Sequence, residues 1–137
     1  MCTGGGSGPA DRDGNTVGTS HKNDSLKLLA HRLADRGFVV LRYDKRMIGG
    51  SSWPEHDETD LRFQHFVDDA VRVVTWMQEQ TEVPIYLLGH SEGATIALEA
   101  ASVAVVAGVG GHRGARAARG RTVTRATSRQ VARANRR

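Results

Sequence analysis

Apolar residues recur along the chain with two periods, and each period predicts an element. Leu26, Leu29, Ala30 and Leu33 share one face at helical spacing, after the N-cap candidates Asn23, Asp24 and Ser25 and before Gly37 as a stop. Phe38-Val39-Val40-Leu41-Arg42-Tyr43 then reads as a mostly buried strand of a parallel sheet, ending at Asp44. Residues 44–59, with Gly49-Gly50-Ser51-Ser52 and Pro54, read as a long loop. From Asp60 to about Gln80 an amphipathic helix is expected, with Phe63, Val67, Ala70, Val74 and Met77 on its buried face and Phe66 and Val73 beside it. Pro84 ends helical geometry. A short apolar run, Ile85 to Leu88, passes through Gly89-His90-Ser91-Glu92-Gly93 into an alanine-rich helix, and Val103–Ala107 could begin one more strand. Alternating helices and strands predict an α/β fold, a mostly parallel sheet flanked by helices.

Charge divides the chain. Residues 1–107 carry ten basic and fifteen acidic side chains, whereas residues 108–137 carry nine arginines and no acid, so the net charge of +4 belongs wholly to the end of the chain. Val109, Val123 and Val131 are the large apolar residues beyond 107, too few to build a core, so 108–137 reads as a disordered or irregular basic low-complexity tail. Residues 1–20, rich in Gly, Ser, Thr and Asp, read as a flexible loop. At 137 residues with 39% hydrophobic content there is room for one domain with a modest core. No stretch is long and apolar enough to span a membrane, and the start lacks the basic-then-apolar order of a signal peptide, which makes a cytoplasmic location the default expectation. Cys2 is the single cysteine, so no internal disulfide is expected, and no metal site or cofactor is suggested.

The candidate chemistry lies at Gly89-His90-Ser91-Glu92-Gly93. A serine between a strand and a helix, flanked by glycines that let the backbone turn tightly, is the context of a nucleophile elbow. Its hydroxyl would stand above the sheet edge, and the Glu92 N–H at the helix start could donate to an oxyanion. The plainer reading of the same residues is a glycine-punctuated turn whose serine caps the helix.

Four ordered blocks extend the motif: Gly6-Ser7-Gly8-Pro9-Ala10-Asp11-Arg12-Asp13-Gly14-Asn15, Lys22-Asn23-Asp24-Ser25-Leu26-Lys27, Leu41-Arg42-Tyr43-Asp44-Lys45-Arg46 and Gly89-His90-Ser91-Glu92-Gly93-Ala94. Over about residues 4–107 this series resembles the bacterial α/β-hydrolases of the esterase/serine-aminopeptidase-like branch. The resemblance implies a partial α/β-hydrolase core over 1–107 and acyl transfer to water from a small ester-like substrate. By position Ser91 matches the nucleophile. Gly5-Gly6-Ser7-Gly8 matches the oxyanion loop, with the Ser7 N–H as donor beside Glu92, although Gly5 stands where a histidine is usual. Asp44 and Arg46 match a turn-shaping motif, and the Glu92 side chain is expected to be solvated.

In this fold the triad runs Ser, then Asp or Glu, then His. After Ser91 the acids are Glu92 and Glu99 and the histidine is His112, none at an expected position, so a truncated domain with little or no activity is expected. His90 should point away from Ser91. His21, His31, His56 and His65 are scattered, with His65 and Asp69 read as a surface pair. A second class of function is an α/β interaction module with a nucleic-acid-binding arm, because Arg113, Arg116, Arg119, Arg121, Arg125, Arg129, Arg133, Arg136 and Arg137 recur at intervals that could build a basic stripe. The tail has no aromatic residue for base stacking, which leaves salt-sensitive, nonspecific nucleic-acid binding as its simplest property. The abrupt change near Gly108 also has the look of GC-rich DNA translated in another frame. That hypothesis predicts an apolar-patterned continuation in one of the two other frames past this point. Reading the coding DNA checks it, and two frames without such a pattern would refute it.

Overall fold

The computed structural model describes residues 10–20 and 22–112. Its elements in chain order are helix α1 (Ser25–Ala34), a single 3-10 turn (Glu58–Asp60), helix α2 (Phe63–Gln80), strand β1 (Tyr86–His90), helix α3 (Glu92–Val103) and strand β2 (Gly108–His112). The strands pair in parallel, Tyr86 opposite Gly108 and His90 opposite His112. The chain is therefore α/β, as expected, with a two-stranded parallel sheet flanked by helices.

One core cluster joins α2, α3 and the sheet. It joins Val67, Ala70, Val74 and Met77 of α2, Ile85 and Leu87 of the strand segment, and Ile96, Ala97 and Ala100 of α3. The expected stripe on α2 is the buried one except at Phe63, which is exposed. Alanines at 70, 97 and 100 keep the helix-to-helix and helix-to-sheet distances short, so that Leu87 and Val74 are wholly enclosed. Because side chains alternate along a strand, Leu87 meets α2 and α3 while Tyr86 and Leu88 face the opposite side of the sheet. On that side Leu26 and Leu29 of α1 line a cavity of about 430 Å³ together with Leu88, Gly89, His90, Gly110 and Gly111.

Three expectations are corrected. Residues 38–43 join no ladder among the described residues, Phe38 and Val39 are 49% and 73% exposed, and Leu41 of the run packs against the core. A strand exists only by exchanging hydrogen bonds with a neighbour, and among the described residues β1 and β2 pair with each other. The strand placed at 103–107 lies instead at Gly108–His112. The alanine-rich sequence carries α3 on to Val103, and the Ala107 N–H then donates to the Ile85 carbonyl at 2.7 Å, opening the parallel register. Val109 packs against the core, so residues just past 107 do contribute to it. Finally, α2 starts at Phe63 rather than Asp60. Asp57 and Asp60 are spent on the 3-10 turn, the Asp57 carboxylate accepting from the Thr59 N–H at 2.7 Å and that of Asp60 from the Asp57 N–H at 3.1 Å.

The segment before α1 reads as a loop and is one, but it is closely bonded. The Asp11 carboxylate accepts from the N–H groups of Asp13 and Asn15, both at 2.9 Å. Buried Asn15 in turn accepts from the N–H groups of Asn23 and Asp24 at 2.8 and 2.9 Å and donates to the Asp24 carboxylate at 2.7 Å. The N-cap residue Asp24 makes no side-chain cap bond; the Asn23 side chain accepts from the Ser25 N–H at 3.0 Å, and the Asp13 carbonyl takes the Leu26 and Lys27 N–H groups at 3.0 and 3.3 Å. Gly14, at φ 91°, is required beneath this contact, because a Cβ there would lie 2.5 Å from the Ser25 hydroxyl.

Tyr43 is raised well above the usual phenol range, first by its burial and second by the negative charge of Asp69. A folded-state value above the unfolded value of about 10 means that Tyr43 supports the fold below that pH and opposes it as pH rises further. In a Tyr86→Phe background, which leaves Tyr43 as the one tyrosine, phenolate absorbance should appear together with loss of helical circular dichroism. Phenolate forming near pH 10 in a still-folded protein would contradict the assignment.

Candidate active site

Ser91 stands at the junction of β1 and α3 with φ 55° and ψ −117°. That region is sparsely populated for a residue with a side chain and costs roughly 1–3 kcal/mol, sustained only where surrounding contacts fix the backbone. Here they do. A Cβ on Gly89 would fall 2.0 Å from the Gly93 oxygen, 2.2 Å from its carbonyl carbon and 2.5 Å from the Ala94 nitrogen, so the helix crosses the strand end at a distance only a glycine allows. Gly93 and Ala94 are buried at this crossing, and the Ala94 N–H closes the first turn on the Ser91 carbonyl at 3.1 Å.

This geometry separates the two readings of the serine. A capping serine would accept a backbone N–H of the first helical turn through its hydroxyl. Ser91 makes no such side-chain bond. Its hydroxyl is carried at a half-buried position beside a helix N-terminus, where unpaired amides and the helix dipole favour negative charge.

Glu92 departs from expectation in part. Its side chain is 37% exposed, but its carboxylate also pairs at 2.7 Å with the ammonium of Lys45, a side chain only 5% exposed. The Lys45 nitrogen also lies 5.5 Å from the centre of the Phe66 ring. No local pattern singles out Lys45.

Asp44 and Arg46 are structural, as the resemblance suggests. The buried Asp44 carboxylate accepts from the N–H groups of Arg12 at 2.8 Å and Gly50 at 3.0 Å, and its carbonyl accepts from the Ser51 hydroxyl at 2.9 Å. Arg46 grips Asp69 through two nitrogens at 3.0 and 2.6 Å and stacks over Trp53 at 4.4 Å. Asp13 and Arg42 form a further ion pair.

The histidines serve other ends. His90 is exposed at the end of β1, on the strand residue before Ser91. His56 stacks on Trp53 at 3.9 Å and pairs with Asp60 at 3.2 Å. His65 does not pair with Asp69, which is held by Arg46 and Arg72; instead its Nδ1 accepts from the Arg62 N–H at 3.2 Å, and its ring meets Trp53 edge-on. His112 ends β2 opposite His90. Ser7, His21 and the arginines from 113 to 137 lie outside the described residues, and with them the oxyanion loop and the basic arm. Among the described residues no helix is long and apolar enough to cross a membrane.

The model of the family described as serine aminopeptidase, S33 (Hydrolase_4) matches residues 18–111. Esterase EstD of Thermotoga maritima is 36% identical over 106 residues, which cover 76% of this chain and 24% of that protein. The chain thus spans about a quarter of the length of this relative.

The crossing at residue 89 makes a direct prediction. Gly89→Ala places a methyl against backbone atoms that cannot rotate away, and should destabilise the fold by more than about 3 kcal/mol. Gly18→Ala, at φ 84° but with nothing within 4 Å of the added carbon, should cost only about 1 kcal/mol. Urea midpoints compare the two. Equal shifts would mean that the close approach does not constrain the turn.

Proposed function

The chain belongs to the serine aminopeptidase S33 family of α/β-hydrolases, and on that premise we propose that Ser91 is the nucleophile of a carboxylic-ester hydrolase. The observation that carries this reading is the Ser91 backbone at φ 55°, held by the Gly89–Gly93 crossing, with a hydroxyl that caps nothing. Support also comes from the relative whose name is an esterase. In the proposed reaction the Ser91 Oγ adds to the ester carbonyl and its proton leaves to a base. The oxyanion is stabilised by the Glu92 N–H, joined by the Ser7 N–H. Collapse expels the alcohol and leaves an acyl-serine that water cleaves.

Among the described residues we assign no base or acid. Glu92 is committed to Lys45, Glu99 projects from the exposed side of α3, and His56 is engaged with Trp53 and Asp60. A serine hydroxyl with no base in reach is a weak nucleophile, but oxyanion donors and binding alone still sustain roughly 10³–10⁴-fold acceleration over water. On this reading we expect slow turnover of short activated esters and reaction with a fluorophosphonate over hours.

Labelling of the purified chain by a fluorophosphonate, with Ser91→Ala as control, tests the assignment. The expected result is slow stoichiometric labelling that disappears in the variant. Equal labelling of both proteins, or none of the native chain, would reject Ser91 as the nucleophile.

A further inference from the structure

Lys45 is a buried ammonium in a part of the chain where a buried lysine needs a reason. Lysine is almost never fully buried unless it is paired. Its partner here is the residue that follows Ser91, reached across 47 positions of sequence at 2.7 Å. The ammonium has little freedom to leave. Asp44 on one side is bonded to Arg12, Gly50 and Ser51, Arg46 on the other is clamped to Asp69, and Phe66 covers the charge from one direction.

The pair is not needed for the helix. An acid in the first turn already interacts favourably with the helix N-terminus, so Glu92 would suit α3 without a lysine. A reaction that builds negative charge at this same N-terminus changes the balance. A carboxylate on the residue that donates the N–H opposes the developing oxyanion, and it opposes it more strongly where water is excluded. A fixed cation on that carboxylate cancels the opposition and leaves the amide dipoles to act. Swinging Glu92 out to water would also reduce the repulsion, but the observed pair instead holds it beside the turn with Lys45 almost wholly enclosed.

We propose that Lys45 is a positioning residue for the Ser91–Glu92 turn: by holding and neutralising the Glu92 carboxylate it keeps the start of α3 able to accept negative charge. This rests on the reading of Ser91 as nucleophile. Lys45 touches no reacting atom in the proposal and acts only through Glu92.

Rates of fluorophosphonate labelling across a charge series test it, with folding of each variant checked by circular dichroism. Lys45→Met should slow labelling about tenfold, because it leaves an uncompensated carboxylate beside the oxyanion site. Adding Glu92→Gln to Lys45→Met should recover the rate to within about threefold of the native chain, since the offending charge is then gone. Lys45→Arg should retain most of the rate. A simple packing role for Lys45 predicts the reverse pattern, in which the double variant is as slow as Lys45→Met or slower. That result, or native-rate labelling by Lys45→Met, overturns the proposal. If Lys45→Met does not fold, the double variant decides alone, and labelling at a tenth of the native rate or less counts against the proposal. Failure of the native chain to label is a different result: it removes the nucleophile reading, and this inference with it.

Discussion

The close approach of Gly89 to Gly93 is the contact on which the described structure turns. A strand that ends directly beneath the start of a helix leaves no room for a side chain at the crossing, and residue 89 supplies none. The cost appears two residues later, where Ser91 is driven to φ 55°. What offsets it is the burial of α3. Gly93, Ala94, Ala97 and Ala100 are buried close to the sheet, and Leu87 and Ile96 fill the space between. A larger residue at 97 or 100 would lift the helix off the strand and relax the turn. Core packing and site geometry are therefore one arrangement, and the strained serine is a consequence of how tightly α3 is docked.

Around that crossing, polar contacts do work that a wider sheet would otherwise do. Residues 38–46 share no ladder, yet their end is fixed by Asp44, by the Arg42–Asp13 and Arg46–Asp69 pairs, and by Lys45 on Glu92. Exposed ion pairs contribute little, but these are half-buried or better, and Arg46 engages its carboxylate with two nitrogens. Burial also makes them demanding. Removing one partner strands the other in a poorly solvated place, and such a loss costs more than the pair contributes. Asn15 does similar work ahead of α1, using both its oxygen and its nitrogen to hold Asn23 and Asp24 at the approach to the helix.

Much of this is legible from the chain alone, and the exceptions are the features set by distant neighbours. Periodicity located α1, the buried face of α2 and the β1–turn–α3 unit, because an amphipathic helix or a short apolar run before a glycine turn is a local property. Residues 38–43 have the composition of a strand but pair with none of the described residues, and partnership is not encoded in the segment itself. Strand β2 was missed for the opposite reason. Gly108, Gly110 and Gly111 have poor strand propensity, yet a Cβ at Gly110 would meet Leu88 at 2.5 Å and one at Gly111 would meet Ala94 at 2.8 Å. There the neighbours, not the segment, choose the glycines. Lys45 was illegible on the same principle: its role depends on Glu92, which no spacing rule connects to it.

The role proposed for Ser91 makes two physical requirements of different kinds. Placing a strained serine over a helix N-terminus needs only Gly89, Gly93, the alanines of α3 and a strand to dock them on, all between residues 85 and 112. Activating that serine needs a base within hydrogen-bond reach, held by a third group, and such groups come from other strand ends of a sheet. The first requirement is met by packing and persists whenever the core forms. The second is a matter of long-range topology and cannot be replaced by any local feature of the turn. Electrostatics belongs to both, since Lys45 arrives from the segment before α2 to neutralise a charge that the turn itself creates. On the proposed reading of Ser91, the geometry of the turn and the Lys45–Glu92 pair beside it both follow from how this core packs.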